Sequence, residues 1–238
     1  MNAPSAAAPH RSMTEGRRRA VHGAAAVVRA LVVTFAAGLA LAACSTLERS
    51  RDVGNPAVQG KILALQVCSN CHGVDGNSTS PNFPRLAAQP EPYLVVQLQS
   101  FRGHDRRDPA GFEYMWGLSR KLTDAQIAGI ASYFHDQTPR PNPAGSGVEA
   151  AAGRAIFQDG LPEQHVPACA SCHGANGEGH DQFPRLAGQH ADYVRKQLLV
   201  FQRTEERPEG AVMKVVAHEL RPAQIAAVAD YVQGIPAR

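Results

Sequence analysis

The pattern C-x-x-C-H occurs twice in the 238-residue chain, at residues 68–72 and 169–173, an offset of 101 residues. The sequence that follows each copy is also repeated. F-P-R-L-A-A-Q beginning at Phe83 recurs as F-P-R-L-A-G-Q beginning at Phe183. Self-similarity at a fixed offset indicates duplicated structural units. The chain is therefore predicted to fold as two similar halves.

Each half contains apolar residues at helical spacing and no run that alternates like a strand. In the first half the clearest example is Tyr93, Leu94, Gln97, Leu98 and Phe101. A capping box of Thr123 and Gln126 then precedes another apolar helical face. We therefore expect an all-α fold.

The chain divides into five predicted segments: a signal peptide at 1–43, a tether at 44–58, a first domain at 59–138, a linker at 139–150 and a second domain at 151–238. The linker is rich in Pro and Gly, which favour turns and flexible connections. Domains of this size have small cores, so a bound apolar group would add contact area that the chain lacks.

A histidine directly after a C-x-x-C pair is typical of covalent haem attachment. Cys68 and Cys71 with His72, and the matching cluster Cys169, Cys172 and His173, are thus predicted to hold one haem c each. The two thiols would form thioethers with the haem vinyl groups, and the histidine would ligate the iron. Zinc needs four ligands around one metal, whereas each pair here lies in its own half.

The chain has four methionines, and Met1 and Met13 lie in the predicted leader. Met115 and Met213 remain, each seven residues before a leucine. A methionine opposite histidine fills the coordination of iron and raises its reduction potential. We predict that Met115 and Met213 are the sixth ligands, which favours electron transfer over substrate binding at the iron.

These motifs resemble those of class I cytochromes c, and the tandem arrangement is similar to the cytochrome c4 family over roughly residues 58–236. The resemblance implies two domains, each wrapped around one haem. It implies that the carbonyls of Pro84 and Pro184 accept a hydrogen bond from the proximal histidine. It also implies that Leu86 and Leu186 pack on the haem. Finally, Gly60 and Gly153 would allow the first and last helices of each half to cross closely, over Tyr133 and Tyr231. A plain turn is the alternative for the prolines. Arg85 and Arg185 are candidates to face the haem propionates, or to be solvated surface residues.

The N-terminus has the features of an export signal. Arg17, Arg18 and Arg19 precede an apolar stretch over 30–43, which is shorter than a typical membrane span. The stretch ends in L-A-A-C, which resembles the lipobox of bacterial lipoproteins and makes Cys44 a candidate for lipidation. An ordinary cleaved signal with an incidental Cys44 and an uncleaved anchor are the alternatives.

Charge gives little support for a nucleic-acid partner. The formal net charge is +3, but residues 1–43 hold five arginines and one acid, and the rest of the chain has 19 basic and 20 acidic side chains. Nucleic-acid binding depends on an excess of positive charge. The charged clusters at 102–107 and 203–207, and the histidines outside the motifs, are expected to be solvated.

The sequence thus predicts an electron carrier rather than an enzyme, lipid-anchored on the periplasmic side of a bacterial membrane, or soluble there. Expected partners are redox proteins such as a quinol-oxidising complex, a terminal oxidase or a dehydrogenase. A cytochrome subunit of a periplasmic dehydrogenase complex is the alternative. A dihaem peroxidase is disfavoured because each half has its own methionine.

Overall fold

The computed structural model describes residues 29, 31–32, 49–109, 111–143, 148–203 and 205–236. Both halves of the repeat lie in one compact unit, Leu47–Arg238. The predicted signal peptide, except for three residues, and Cys44 lie outside the described residues.

The first half is helical. Its α-helices are α1 (Gly60–Leu63), α2 (Ser69–His72), α3 (Glu91–Arg102), α4 (Trp116–Ser119) and α5 (Asp124–His135). Two π-helical segments complete it, Ala64–Cys68 between α1 and α2, and Gly111–Met115 before α4.

The second half repeats this arrangement with α-helices of equal or greater length. They are α6 (Val148–Asp159), α7 (Ala170–His173), α8 (Ala191–Arg203), α9 (Ala211–Ala217) and α10 (Pro222–Gly234). Two 3₁₀ segments lie at Pro162–Gln164 and Pro208–Gly210. Among the residues described, β-structure is limited to the isolated bridges Leu161–Val166 and His180–Phe183. The all-α prediction is confirmed.

The first and last helices of each half cross at a glycine. A Cβ on Gly153 would overlap the carbonyl oxygen of Ala227 and lie 2.8 Å from Tyr231 Cβ. A Cβ on Gly60 would overlap the carbonyl oxygen of Gln126. The expected close crossings are therefore present, and the atoms nearest to a Cβ on Gly60 belong to Gln126, Gly129 and Ile130.

Each half has its own apolar core. The first is centred on buried Leu63, Ile127 and Phe134, and the second on Phe157 and Ile225. The predicted capping box at the start of α5 is present, because Thr123 Oγ1 accepts from Gln126 N and Gln126 Oε1 accepts from Thr123 N.

The halves are joined by reciprocal hydrogen bonds. Gln89 Nε2 donates to Arg185 O (2.8 Å), and Gln89 Oε1 accepts from Arg185 N (3.0 Å). Gln189 makes the same pair of bonds to the backbone of Arg85, at 3.0 and 2.8 Å. Each glutamine thus bonds to the backbone of the arginine in the opposite half. This reciprocal pattern is expected of two similar surfaces related by an approximate twofold axis.

Two expectations of solvation are wrong at this interface. Arg106 and Arg207, from the clusters at 102–107 and 203–207, are buried. His190 is also buried, with its Nε2 donating to Ser78 O of the first half (2.8 Å). Each of these residues finds hydrogen-bond partners that make burial of a polar side chain tolerable.

Candidate functional site

The histidine of each C-x-x-C-H motif ends a short helix and turns into the protein. His72 closes α2 and His173 closes α7, and both side chains are buried. The glycine that follows each has a positive φ, 81° at Gly73 and 86° at Gly174, which lets the chain leave the helix at once.

Each buried histidine is held by a proline carbonyl. His72 Nδ1 lies 2.8 Å from Pro84 O, and His173 Nδ1 lies 2.9 Å from Pro184 O. A carbonyl oxygen can only accept, so Nδ1 carries the proton and the lone pair of Nε2 is available to a metal. Burial lowers the pKa of both histidines, and the proline bonds offset this only in part. A neutral, oriented imidazole is the form that ligates iron.

Cys71 and Cys172 directly precede the histidines within the short helices, and Cys68 and Cys169 are the N-cap residues of these helices, four positions before the histidines. Cys68 and Cys169 are half-buried, and burial raises the pKa of their thiols to about 12 and about 11. A redox dithiol requires a lowered thiol pKa. These thiols have the opposite property, and a thioether, which carries no charge, suits such a position.

An aromatic ring accompanies each histidine. The rings of His72 and Phe83, and those of His173 and Phe183, approach edge to face with centroids 6.3 Å apart in both halves. Leu86 packs against the first apolar core and Leu186 against the second. The two halves therefore repeat the same local geometry around the histidine.

The two methionines occupy equivalent elements with different local form. Met115 is half-buried at the end of the π-helical segment that precedes α4. Met213 lies in α9 and packs against the second core. Each thus lies in the helical region between the long middle helix and the last helix of its half.

The two candidate arginines lie at the interface between the halves. Arg185 is buried, and Arg85 donates to the carbonyls of Ser78 (3.3 Å) and Arg140 (2.7 Å). Burial lowers the pKa of both guanidinium groups. Neither behaves as a fully solvated surface arginine, and a nearby anion would stabilise each charge.

Sequence reasoning missed a buried charged cluster between the halves. Its members are Gln97, Arg106, Asp108, Tyr193, Gln197, Arg207 and Glu209. The signal was present in the repeat, because Arg106 and Arg207 are equivalent and each is followed two residues later by an acid. A cluster with balanced charge can be buried where a single charge cannot.

These donor sets fit haem c. Each half offers two thiols, one neutral histidine with a free Nε2, and apolar and aromatic side chains beside it. The set is present twice, and its geometry agrees to within 0.1 Å in the histidine–proline distance.

Comparison with known proteins gives the same family. The model of the family "Cytochrome c" matches residues 57–138 and 150–236. Cytochrome c4 of Stutzerimonas stutzeri is 40% identical over 188 residues, which cover 75% of this chain and 88% of that protein. The crystal structure of reduced recombinant cytochrome c4 from Pseudomonas stutzeri superposes with a TM-score of 0.69 at 38% identity, over 77% of this chain and 100% of that one.

The name of a further relative includes that of its redox partner, an enzyme. The thiosulfate dehydrogenase electron acceptor of Thiomonas intermedia (strain K12) is 33% identical over 174 residues, 71% of this chain and 78% of that protein. Duplicated haem motifs, matched histidine geometry and similarity over both halves agree, and the chain belongs to the cytochrome c family as a dihaem, cytochrome c4-like electron carrier with two covalently bound haem c groups.

Proposed function

We propose that this chain is a lipid-anchored periplasmic electron carrier in which His72 with Met115, and His173 with Met213, ligate the two haem irons. The observation that carries the proposal is the matched pair of buried histidines, each with Nδ1 donating to a proline carbonyl. The equivalent positions of Met115 and Met213, seven residues before a leucine, support methionine as the second ligand in both halves.

The haem supplies one-electron redox chemistry at iron. The chain's own residues keep that chemistry from becoming substrate turnover. Pro84 and Pro184 fix the ring orientation of the histidines through their carbonyls. With Met115 and Met213 as further protein ligands, the irons would have no position for peroxide or a gas, and no bond of a substrate would be made or broken on the protein.

Arg85 and Arg185 are proposed to face haem propionates. Arg185 is buried and Arg85 is half-buried at the interface, where burial lowers the pKa of both guanidinium groups. Within the described part of the chain the Arg85 side chain hydrogen-bonds to carbonyl oxygens. A propionate would give this charge an ionic partner. Leu86 and Leu186 are proposed to add apolar contact to the haem.

Two kinds of partner fit the carrier. A quinol-oxidising complex as donor with a terminal oxidase or reductase as acceptor is the first. The second is a periplasmic dehydrogenase, which is favoured by the similarity to a thiosulfate dehydrogenase electron acceptor. Purification of the holoprotein from its host membranes with the bound subunits identified by mass spectrometry separates the two.

Carbon monoxide tests the coordination. The reduced holoprotein is expected to resist carbon monoxide, and the oxidised form is expected to have the near-infrared methionine-to-iron band. Ready binding of carbon monoxide to both haems, or absence of that band, would contradict the carrier mechanism. A haem stain that gives one haem per chain would contradict the duplication.

Lipidation is a separate test. We propose that cleavage before Cys44 makes this cysteine the lipidated N-terminal residue of the tether, residues 44–58. The intact mass of the mature protein should include the lipid, and Cys44→Ser should remove that increment. A processed mass without the lipid would instead indicate an ordinary cleaved signal, and the mass of the whole chain would indicate an uncleaved anchor.

A further inference from the structure

The first half has an exposed aromatic surface that the second half lacks. His104 stacks on Phe112 (ring centroids 5.7 Å apart) and on Trp116 (4.9 Å), and Arg120 Cζ lies 5.5 Å from the Trp116 ring centroid. We call these four residues the aromatic face. Phe112 is 59% exposed and Trp116 is 36% exposed. Large aromatic side chains in contact with water in a contiguous cluster indicate an interaction surface.

The repeat shows that this surface is not required for holding haem. With Met115 aligned to Met213, Phe112 corresponds to Gly210 and Trp116 corresponds to Lys214. Both halves bind a haem, so a residue needed for haem packing should recur. The aromatic face therefore has a role that belongs to the first half.

The tether enters the protein beside the aromatic face. Gly54 packs against the side chain of Lys121, and a Cβ added at Gly54 would lie 3.1 Å from Lys121 Cδ. Lys121 directly follows Arg120 in the sequence. Gly54 follows Cys44 by ten positions, and a chain segment of that length reaches at most about 34 Å. A lipid on Cys44 would therefore keep this part of the protein close to the bilayer.

The residue types match a bilayer surface. Trp and Tyr prefer the membrane–water interface, and arginine and lysine attract anionic headgroups. Besides the aromatic face itself, Tyr114 and Leu118 on the same helical segments are exposed, at 58% and 40%. At the position of Lys121 the second half has Glu219, which anionic lipid would repel, whereas in the first half Arg120 and Lys121 outnumber the one exposed acid of these segments, Glu113.

We propose that the aromatic face, with Lys121, rests on the anionic lipid surface to which the chain is anchored. The proposal rests on the proposed lipid anchor at Cys44 for its location. The lipid would supply attachment, and the aromatic face would supply orientation, holding the first half against the membrane.

Vesicle binding by unlipidated holoprotein tests the face without the anchor. The protein used in this test starts at Ser45, since Leu47–Arg238 is a compact unit of its own. It is mixed with vesicles of phosphatidylcholine and phosphatidylglycerol and sedimented, and bound protein is read from haem absorbance. The test variant carries Phe112→Ser with Trp116→Ser, which removes both rings without changing the net charge. The matched control carries Val212→Ser with Val215→Ser, which removes side chains that are 62% and 77% exposed in the second half.

We expect the test variant to partition at least about tenfold more weakly than the parent, because two large apolar side chains no longer leave water. The control should bind like the parent. An unchanged haem spectrum and urea unfolding curve in both variants would show that folding is intact.

Equal binding of parent and test variant, or no binding by the parent, would overturn the proposal. A parent that ignores vesicles, but whose electron transfer with a purified membrane complex is slowed by the test variant, would identify a protein-docking surface and also overturn it. Failure of the carrier mechanism would instead appear in the carbon monoxide experiment, and absence of the anchor in the mass of the mature protein.

Discussion

Arg106 and Arg207, which occupy equivalent positions in the two halves, donate to the same two acceptors. Gln97 Oε1 accepts from Arg106 at 2.5 Å and from Arg207 at 2.9 Å. Gln197 Oε1 accepts from Arg106 at 3.3 Å and from Arg207 at 2.5 Å. Each arginine is thus bonded to its own half and to the other, and the cluster joins the two halves through charge as well as packing.

The buried pair of Arg106 and Asp108 should make a large contribution to stability. The side chains are 4% and 1% exposed, and Arg106 Nε lies 2.8 Å from Asp108 Oδ1. Asp108→Asn would leave a buried guanidinium without its anion, and we expect a loss of about 3 kcal/mol in the free energy of unfolding of the holoprotein. Urea unfolding followed by circular dichroism measures this.

The matched control is Asp192→Asn, which breaks an ion pair of Asp192 and Arg195 on the surface (2.9 Å). An exposed pair contributes about 0–1 kcal/mol, so this variant should unfold almost like the parent protein. Equal losses in the two variants would contradict the special position of the cluster.

Asp108 should also make stability depend on pH. Burial raises the pKa of its carboxyl, but Arg106 and further cluster members lower it more, so the net pKa lies below the ordinary 3.8. A carboxyl whose pKa is lower in the folded state stabilises the fold above its ordinary pKa, and that stability disappears as the pH falls further.

The difference in unfolding free energy between the parent protein and Asp108→Asn should therefore narrow as the pH falls below about 3.8. Urea titrations from neutral to acidic pH measure this difference, and carboxylates that both proteins share cancel in it. A difference that stays constant or widens in acid would show that Asp108 is not the group responsible.

Gly153 should not tolerate a side chain. A Cβ would overlap Ala227 O at the crossing of α6 and α10, so Gly153→Ala is expected to lower the free energy of unfolding by about 2 kcal/mol or to prevent folding. Gly117→Ala is the control, because a Cβ there meets nothing within 4 Å. It should be neutral or stabilising by up to about 1 kcal/mol, since alanine favours a helix over glycine. Thermal unfolding of both holoproteins compares them, and similar losses would refute the crossing argument.

If Met115 and Met213 are the ligands, replacing either one should leave one haem iron with an open coordination position. Met115→Leu and Met213→Leu should each remove about half of the near-infrared methionine-to-iron band and allow carbon monoxide to bind one haem, since leucine has no ligand atom. The double variant should lose the whole band. Loss of the whole band in a single variant, or of none, would contradict ligation by one methionine in each half.

Much of the fold and of the candidate site was predictable because it depends on short stretches of sequence. The helical spacing from Tyr93 to Phe101 and the capping box of Thr123 and Gln126 are local signals, and helices appear where they predict. The positions of His72 and Pro84 were expected through a family resemblance, and the 2.8 Å contact between them agrees with it.

The interface between the halves was not predictable in the same way. Arg106 was expected to be solvated because a sequence of mixed charges is usually a surface loop, and His190 because it has no counterpart in the first half. Both are buried because residues about 90 or more positions away, Gln197 for Arg106 and Ser78 for His190, provide acceptors. Such partners become visible only when the halves are placed together.

The sequence by itself determined the family, the presence of two haem c groups and the helical class, because a C-x-x-C-H motif and helix periodicity each depend on residues a few positions apart. Only the tertiary structure decided which charges are buried and which aromatic side chains remain outside. The physical reason is that the free energy of burying a charge or leaving an aromatic ring in water depends on neighbours from distant parts of the chain. The reciprocal bonds of Gln89 and Gln189, the buried arginine cluster and the aromatic face all depend on how distant parts of the chain are placed together.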